Sequence, residues 1–352
     1  MKYGHTKITA VAFCFLLTLC TAPSWAQSPG GVNADIRLWF KSNAGVTQSG
    51  GQVSAWGDQS GNGKTAGQSS QIKQPGYTAS NAYFNGYPSL DFDLTDDHLA
   101  LDANIATRPY SFFLVFNSTT TSTAVRRAVQ GSNNWLMGPY QNRAMFYAGA
   151  WVHQHADQLS TTPVLSAAVA NTNAANNGFY FHNGKNMAPA GVTATDVPNW
   201  LHLGGGGAAP AERFGGSVAE LIVYKKDMTA AERQRIESYL AVKYGITIDQ
   251  TTPSHYVNSN GDVIWDHLFN GIYKNNIFAI GRDNGSALNQ TQSKSANTDA
   301  ISISNPSALS DGDFLFLSDN GLSTGPLAQL GLPGGAVAGS QRVWSVSKTG
   351  AV

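Results

Sequence analysis

Short apolar or alternating stretches, separated by Gly, Asn, Pro and Asp, recur along most of this 352-residue chain. Over the first two thirds they fall at 35–40, 52–56, 89–92, 110–116, 135–137, 143–147, 164–170, 178–182 and 218–224. Runs of this length, bounded by turn residues, predict strands. Many strands with one terminal helix predict a β-sandwich. In Phe179-Tyr-Phe-His-Asn-Gly184 the Asn-Gly pair tolerates positive φ at both turn positions, which predicts a tight hairpin.

The tract from Gly215 to Gly245 joins a strand to the one convincing amphipathic helix. Alternation puts Val218, Glu220, Ile222 and Tyr224 on one strand face and Ala219, Leu221 and Val223 on the other, apolar face. Glu220 is therefore expected to face outward or into a groove. Thr229 and Glu232 have the T-x-x-E spacing of a capping box, which stabilises a helix start by about 1 kcal/mol. Gly245 suits the left-handed position that ends a helix. Ile236, Tyr239, Leu240 and Lys243 share one stripe, so the helix should pack as a lid or strut on something β-rich. Beyond a linker at 249–254, strand-like runs resume at 263–265, 277–280, 300–304, 314–317 and 342–346. The chain stops just after the last of these, with no evident closing strand. The expectation is a second, incomplete β-rich domain, from a truncated gene or a fragment.

Lys2 and Lys7 precede an apolar run at 8–19, and Ser24-Trp25-Ala26 offers small residues three and one before a cut ahead of Gln27. This is the pattern of a secretory signal peptide over residues 1–26. A lipoprotein signal through Cys20 is the competing reading, opposed by the large Leu19 before it. Cleavage after Ala26 removes both cysteines, Cys14 and Cys20, and with them disulfides and thiolate chemistry. It leaves 20 basic against 22 acidic residues, which implies no polyanion-binding field and no nucleic-acid partner. No later apolar run approaches the ~20 residues of a membrane span. A secreted or cell-surface location follows.

Several phrases, in this order, resemble the LamG-like, concanavalin A-like jelly-roll domains of bacterial exported proteins. They are Gly30-Gly-Val-Asn-Ala-Asp-Ile-Arg-Leu-Trp-Phe40, Trp56-Gly-Asp-Gln-Ser-Gly-Asn-Gly63, Pro88-Ser-Leu-Asp-Phe-Asp-Leu-Thr-Asp-Asp-His-Leu99, Phe179 to Gly184, and the strand and helix of 215–245. The resemblance runs from about residue 29 to 248 and assigns 27–248 to the jelly roll. Residues 249–352, with Ile280-Gly-Arg-Asp-Asn-Gly285 and Arg342-Val-Trp-Ser-Val346, resemble an uncharacterised β domain that follows such modules in bacterial surface proteins. The resemblance implies an all-β, two-sheet sandwich with ligands, where present, at loop rims or on a concave sheet. It does not imply one function.

Retaining β-glucanases share that sandwich and need two carboxylates about 5–5.5 Å apart, usually from Glu-x-Asp-x-x-Glu on a strand. The chain has four glutamates, Glu212, Glu220, Glu232 and Glu237, and none makes that spacing. Asp91 and Asp93 alternate on one strand face beside Asp96 and Asp97, an arrangement that also shapes a turn at a solvated strand end. Asp58, Ser60 and Asn62, with Gly63 sixth, form the first half of an oxygen-rich calcium loop. Position 12 is Ser69, where the helix–loop–helix version has a bidentate Glu. A Gly/Asn turn, with Asp58 and Ser60 bonding nearby amides, accounts for the same residues. Asp96 and Asp97 complete a cation site only if the fold brings them near. His153 and His155 alternate as a two-histidine clip would, without an identifiable third ligand. Gly204-Gly-Gly-Gly207 lacks the following Lys-Ser/Thr of a phosphate loop.

Seven tryptophans remain after signal removal, and in a sandwich most belong to the core, as expected of Trp39. Trp135 and Trp151, beside Asn- and Gly-rich loops, are the expected exposed pair and the candidate carbohydrate platform. The expectation is a non-catalytic exported sandwich that binds a glycan or another surface molecule, a surface protein included, with calcium as the candidate cofactor. A polysaccharide-active glycosidase and a purely structural spacer are the competing readings.

Overall fold

The computed structural model describes residues 1, 27–101, 107–119, 126–205, 212–298, 300–325 and 340–352, with backbone alone at 154–158. The expected signal peptide, Gly206, Gly207 and the His155 side chain lie outside these residues.

The chain folds as an all-β sandwich with one long helix. Its first layer contains β1 (Ile36–Lys41), β6 (Ser89–Asp93), β8 (Tyr110–Ser118), β13 (Val164–Ala170), β14 (Gly178–His182), β15 (Lys185–Asn186) and β17 (Gly215–Tyr224). Central β17 pairs with β8 on one side and with β6, then β1, on the other, and β8 continues into β13, β14 and β15. The second layer runs β2 (Val46–Ser49), β3 (Gln52–Gly57), β4 (Thr65–Gly67), β7 (Leu99–Leu101), β16 (Leu201–Leu203), β9 (Val129–Gly131), β10 (Leu136–Tyr140), β11 (Arg143–Tyr147) and β12 (Trp151–Gln158). β5 (Gly76–Thr78) pairs with both β6 and β3, so one ladder folds over into both layers. Every pairing is antiparallel. Asn183 (φ 46°) and Gly184 (φ 84°) make the hairpin turn between β14 and β15, as the Asn-Gly signal predicts.

Between the layers, Leu38, Phe40, Phe112, Leu114, Phe116, Leu221 and Val223 meet Trp56, Leu99, Val129, Met137, Phe146, Leu201 and Leu203. The outer face of the first layer is apolar as well. Trp39, Phe113, Leu165, Ile222 and Tyr224 form a second core with α1 (Ala230–Tyr244) and with Tyr256, Trp265, Ile277, Phe314 and Phe316 of the C-terminal region. A layer covered on both faces needs continuous burial, not alternation. All residues of β8, β13 and β17 are accordingly buried.

The capping box forms as predicted: the Glu232 amide donates to Thr229 Oγ1 (3.2 Å) and the Thr229 amide to Glu232 Oε2 (3.1 Å). Gly245 ends the helix at φ 66°, where an added Cβ would sit 2.1 Å from the Lys294 carbonyl. From Ile236 to Tyr244 the helix is buried throughout, because it lies between the sandwich and a further sheet. That sheet is ordered β21 (Leu288–Gln290), β20 (Asn275–Asp283), β24 (Phe314–Asp319) and β25 (Trp344–Thr349). The pairs β18 (Tyr256–Val257) with β19 (Val263–Trp265) and β22 (Gln292–Lys294) with β23 (Ser302–Ser304) flank it, together with α2 (His267–Asn270). No helix among the described residues is long and apolar enough to cross a membrane.

The structure corrects two expectations on β17. A bulge between Val218 and Glu220 resets the alternation, so Val218 joins Leu221 and Val223 in the inter-sheet core. Glu220 faces neither solvent nor a groove, because α1 covers its face and leaves it fully buried. Its carboxylate accepts from Trp39 Nε1 (2.6 Å), Tyr239 Oη (2.9 Å), Tyr244 Oη (2.7 Å) and Lys243 Nζ (2.7 Å). Burial, reinforced by the Glu220 charge, pushes both tyrosine hydroxyls well above their ordinary range and keeps them as donors. This network fastens the helix to the sheet.

Candidate functional site

Among the described residues, neither apolar core extends over the outer face of the second layer. On the second layer, Val129, Met137, Phe146, Leu201 and Leu203 point into the core. Their neighbours in sequence therefore point outward. Register across the strands aligns these outward residues in a single row: Ala55, Gly67, Ala100, His202, Gln130, Leu136, Tyr147 and Trp151. Three residues of this row are small and five are large, which makes a step across the face.

The large end carries a cluster of aromatic rings. Trp151 meets Tyr140 edge-on at 4.7 Å between ring centroids and Tyr147 at 5.2 Å, and all three are half-buried. Gln141 and Asn142 both take positive φ (53° and 56°) in the two-residue turn that joins β10 to β11. That turn sets Tyr140 opposite exposed Arg143, while the Asn142 side chain donates to the Leu159 carbonyl (3.2 Å) and fixes the hairpin. Leu136 and Met145 share the face and are buried, though they belong to neither apolar core. Four strand spacings from Trp151, about 19 Å away, His202 lies 4.6 Å from Trp200 and 6.1 Å from His98 between ring centroids. Burial lowers the His98 basicity, so its imidazole favours the neutral state. His98 Nε2 sits 2.9 Å from the Gln68 amide nitrogen.

Of the two tryptophans expected to be exposed, Trp151 stands on this face and Trp135 does not. Trp135 is fully buried, with Nε1 donating to Tyr110 Oη (3.0 Å) and its ring packed on Phe112 and Phe146. It immediately precedes β10, and the strand carries it into the core beside Met137. The residues that accompany Trp151 are instead Tyr140 and Tyr147. Sequence reading missed them because only the strand register places them on its side.

Asp58, Ser60 and Asn62 form a turn bonded internally and to β1. Asp58 Oδ1 accepts from the Trp39 amide (2.8 Å) and the Ser60 amide (2.8 Å). Asp58 Oδ2 accepts from Ser60 Oγ (2.6 Å) and the Asn62 amide (3.2 Å). Asn62 Nδ2 donates to the Ile36 carbonyl (2.9 Å). Protein donors thus meet both carboxylate oxygens, and these hydrogen bonds hold the turn. Asp96 and Asp97 belong to another turn, after β6, where they gather with Asp93 so that their oxygens lie within 4.8 Å of one another. Asp97 Oδ2 accepts the Asp93 amide (3.0 Å), and Asp93 Oδ1 accepts the amides of Thr95 (2.8 Å) and Asp96 (3.3 Å). Burial, then the Asp93 charge, pushes the Asp97 carboxyl up to about 7. His153, one half of the two-histidine pattern, is buried and stacked on Tyr180 (5.1 Å between centroids).

Each of the four glutamates is ion-paired: Glu212 with Arg127, Glu220 with Lys243 (2.7 Å), Glu232 with Lys226 (2.6 Å) and Glu237 with Arg233 (2.8 Å). Asp91 accepts from Ser89 Oγ (2.7 Å) and Thr78 Oγ1 (2.5 Å). These carboxylates are held by protein donors, and Asp91 lines a surface groove together with Asp93 and Asp97.

Comparison with known proteins places residues 232–352 in a match to a family described as a domain of unknown function, DUF8202. No curated protein matches the chain. Among solved structures, domain 4 of AbnA, a GH43 extracellular arabinanase from Geobacillus stearothermophilus in complex with arabinotriose, is similar at a TM-score of 0.42 and 12% identity, over 58% of this chain and 98% of that one. Trypanosoma rangeli sialidase is similar at 0.39 and 11%, over 59% of this chain and 33% of the sialidase. The binding domain of Paraclostridial Mosquitocidal Protein 1 is similar at 0.38 and 8%, over 72% of this chain and 55% of that one. Likeness at this level carries no argument about function.

Proposed function

We propose that this chain is an exported, non-catalytic LamG-like protein that binds a glycan on the open face of its second layer. The observation that carries the reading is the row of outward residues with aromatic rings at two stations, Tyr140, Tyr147 and Trp151 at one end and Trp200 with His202 toward the middle. Aromatic faces offer apolar area to sugar rings while polar neighbours supply orientation, here His202 and Arg143. A glycan chain laid across the strands meets both stations. The ion-paired glutamates support a binding role over hydrolysis. Calcium at Asp58, Ser60 and Asn62 forms no part of the proposal, which rests on the aromatic face alone.

The test is binding of the chain to a panel of soluble polysaccharides, followed by intrinsic tryptophan fluorescence and calorimetry. Saturable binding that perturbs tryptophan emission and disappears in Trp151→Ala is the expected result. Binding that survives in a Trp151→Ala, Tyr147→Ala double variant sinks the proposed face. Release of reducing sugar from any bound polysaccharide sinks the non-catalytic reading.

A further inference from the structure

A separate cleft of about 470 Å³ opens where the sandwich meets the segment that follows α1. Its walls are the β12–β13 turn, the β14–β15 hairpin, residues 247–251 and the start of β20. Hydrogen bonds hold these walls together: the Asp249 amide donates to the Asn183 carbonyl (2.7 Å), the Leu165 amide to Asn183 Oδ1 (2.9 Å), and the Ile277 amide to Thr247 Oγ1 (2.9 Å). The cleft is thus pre-formed and within the size range of small-molecule sites.

The chemistry of its lining is one-sided. Lys185 on the hairpin and Lys274 before β20 are exposed, and no ion pair or hydrogen bond to either side chain is found among the described residues. Asp249 is the one carboxylate among the lining residues, and its Oδ1 is held by the Thr251 amide (2.9 Å) and hydroxyl. Gln250 supplies the second, independent observation. It is 7% exposed, and its Oε1 lies 2.9 Å from His267 Nδ1, yet its buried Nε2 has no acceptor. A buried donor without an acceptor is rare in folded proteins. Two ammonium groups at one cleft call for an acceptor-rich anion, and Met187 and Ile248 add apolar surface beside them.

We infer that this cleft binds a carboxylate-bearing saccharide, a uronic-acid unit being the chemical class that fits. The acid group lies between Lys185 and Lys274, and the ring hydroxyls meet the polar wall. The site is independent of the aromatic face and stands or falls without it.

Calorimetric titration of the full chain with digalacturonate, galactobiose and inorganic phosphate tests the inference. The expected result is saturable digalacturonate binding at least tenfold tighter than either of the other two. A Lys185→Gln, Lys274→Gln double variant, altered only at exposed positions, should weaken it at least tenfold. Trp151→Ala should leave it unchanged. Absence of digalacturonate binding, equal binding by the double variant, or phosphate binding as tightly as the sugar acid overturns the inference. Loss in Trp151→Ala with retention in the double variant moves the acid to the aromatic face and overturns it too.

Discussion

Lys243 Nζ lies 2.7 Å from Glu220 Oε2, and the two side chains are 3% and 0% exposed. A buried pair of this kind is costly to break, because the remaining partner is left as an uncompensated charge. Glu220→Gln should therefore destabilise the fold by about 3–5 kcal/mol. A Glu220→Gln, Lys243→Met double variant should recover part of that loss, since no lone charge remains. Urea unfolding of the two single variants and the double supplies the cycle. Strict additivity would show that the pair is not coupled.

Asp58 holds the β3–β4 turn through four protein donors, two of them backbone amides within the turn and one on β1. Asp58→Ala leaves those amides without their acceptor and should cost about 1–3 kcal/mol. A cation held by Asp58 would stabilise the native state by mass action. The expected outcome is a thermal midpoint that falls in the variant and is the same for wild type in millimolar calcium and in chelator. A midpoint that rises with calcium in wild type and not in Asp58→Ala would show a metal loop at Asp58.

Asp97 has its folded-state carboxyl raised to about 7 from an ordinary 3.8, so the native state holds a proton that the unfolded chain has released between those values. Stability from this group is thus fully present below 3.8 and is lost as pH rises through about 7. Asp97→Asn mimics the protonated form and can still accept the Asp93 amide. The variant should melt higher than wild type at pH 8 and close to it at pH 4. Equal differences at the two pH values would show that Asp97 ionises normally.

Much of the architecture was legible because local signals agreed with one another. The capping box at Thr229 and Glu232, the Asn183-Gly184 turn and the runs at 143–147, 164–170 and 178–182 each have one conformation that satisfies them. Three-residue strands such as Thr65–Gly67 and Leu99–Leu101 escaped notice, since so few residues carry no readable period. Glu220 was misplaced for another reason. Alternation put it correctly with Ile222 and Tyr224, but nothing local reveals that α1 covers that face. Tyr140 and Tyr147 were overlooked similarly, because companionship with Trp151 is a property of register between strands.

Trp135 and Trp151 are 16 positions apart in sequence and have opposite surroundings. Trp135 fills the core against Tyr110, Phe112 and Phe146, so Trp135→Ala should cost about 3–5 kcal/mol of stability. Trp151 is half-buried on the outer face, and its removal should leave the fold close to wild type in denaturant midpoint. As an aromatic anchor it should instead weaken glycan binding by about 2 kcal/mol or more, roughly thirtyfold in Kd. Urea unfolding and glycan titration of both variants separate the two roles. The decisive comparison is the binding of folded Trp151→Ala: an unchanged Kd with intact stability would mean that the aromatic cluster is surface covering for Leu136 and Met145 and that the glycan, if bound, sits elsewhere.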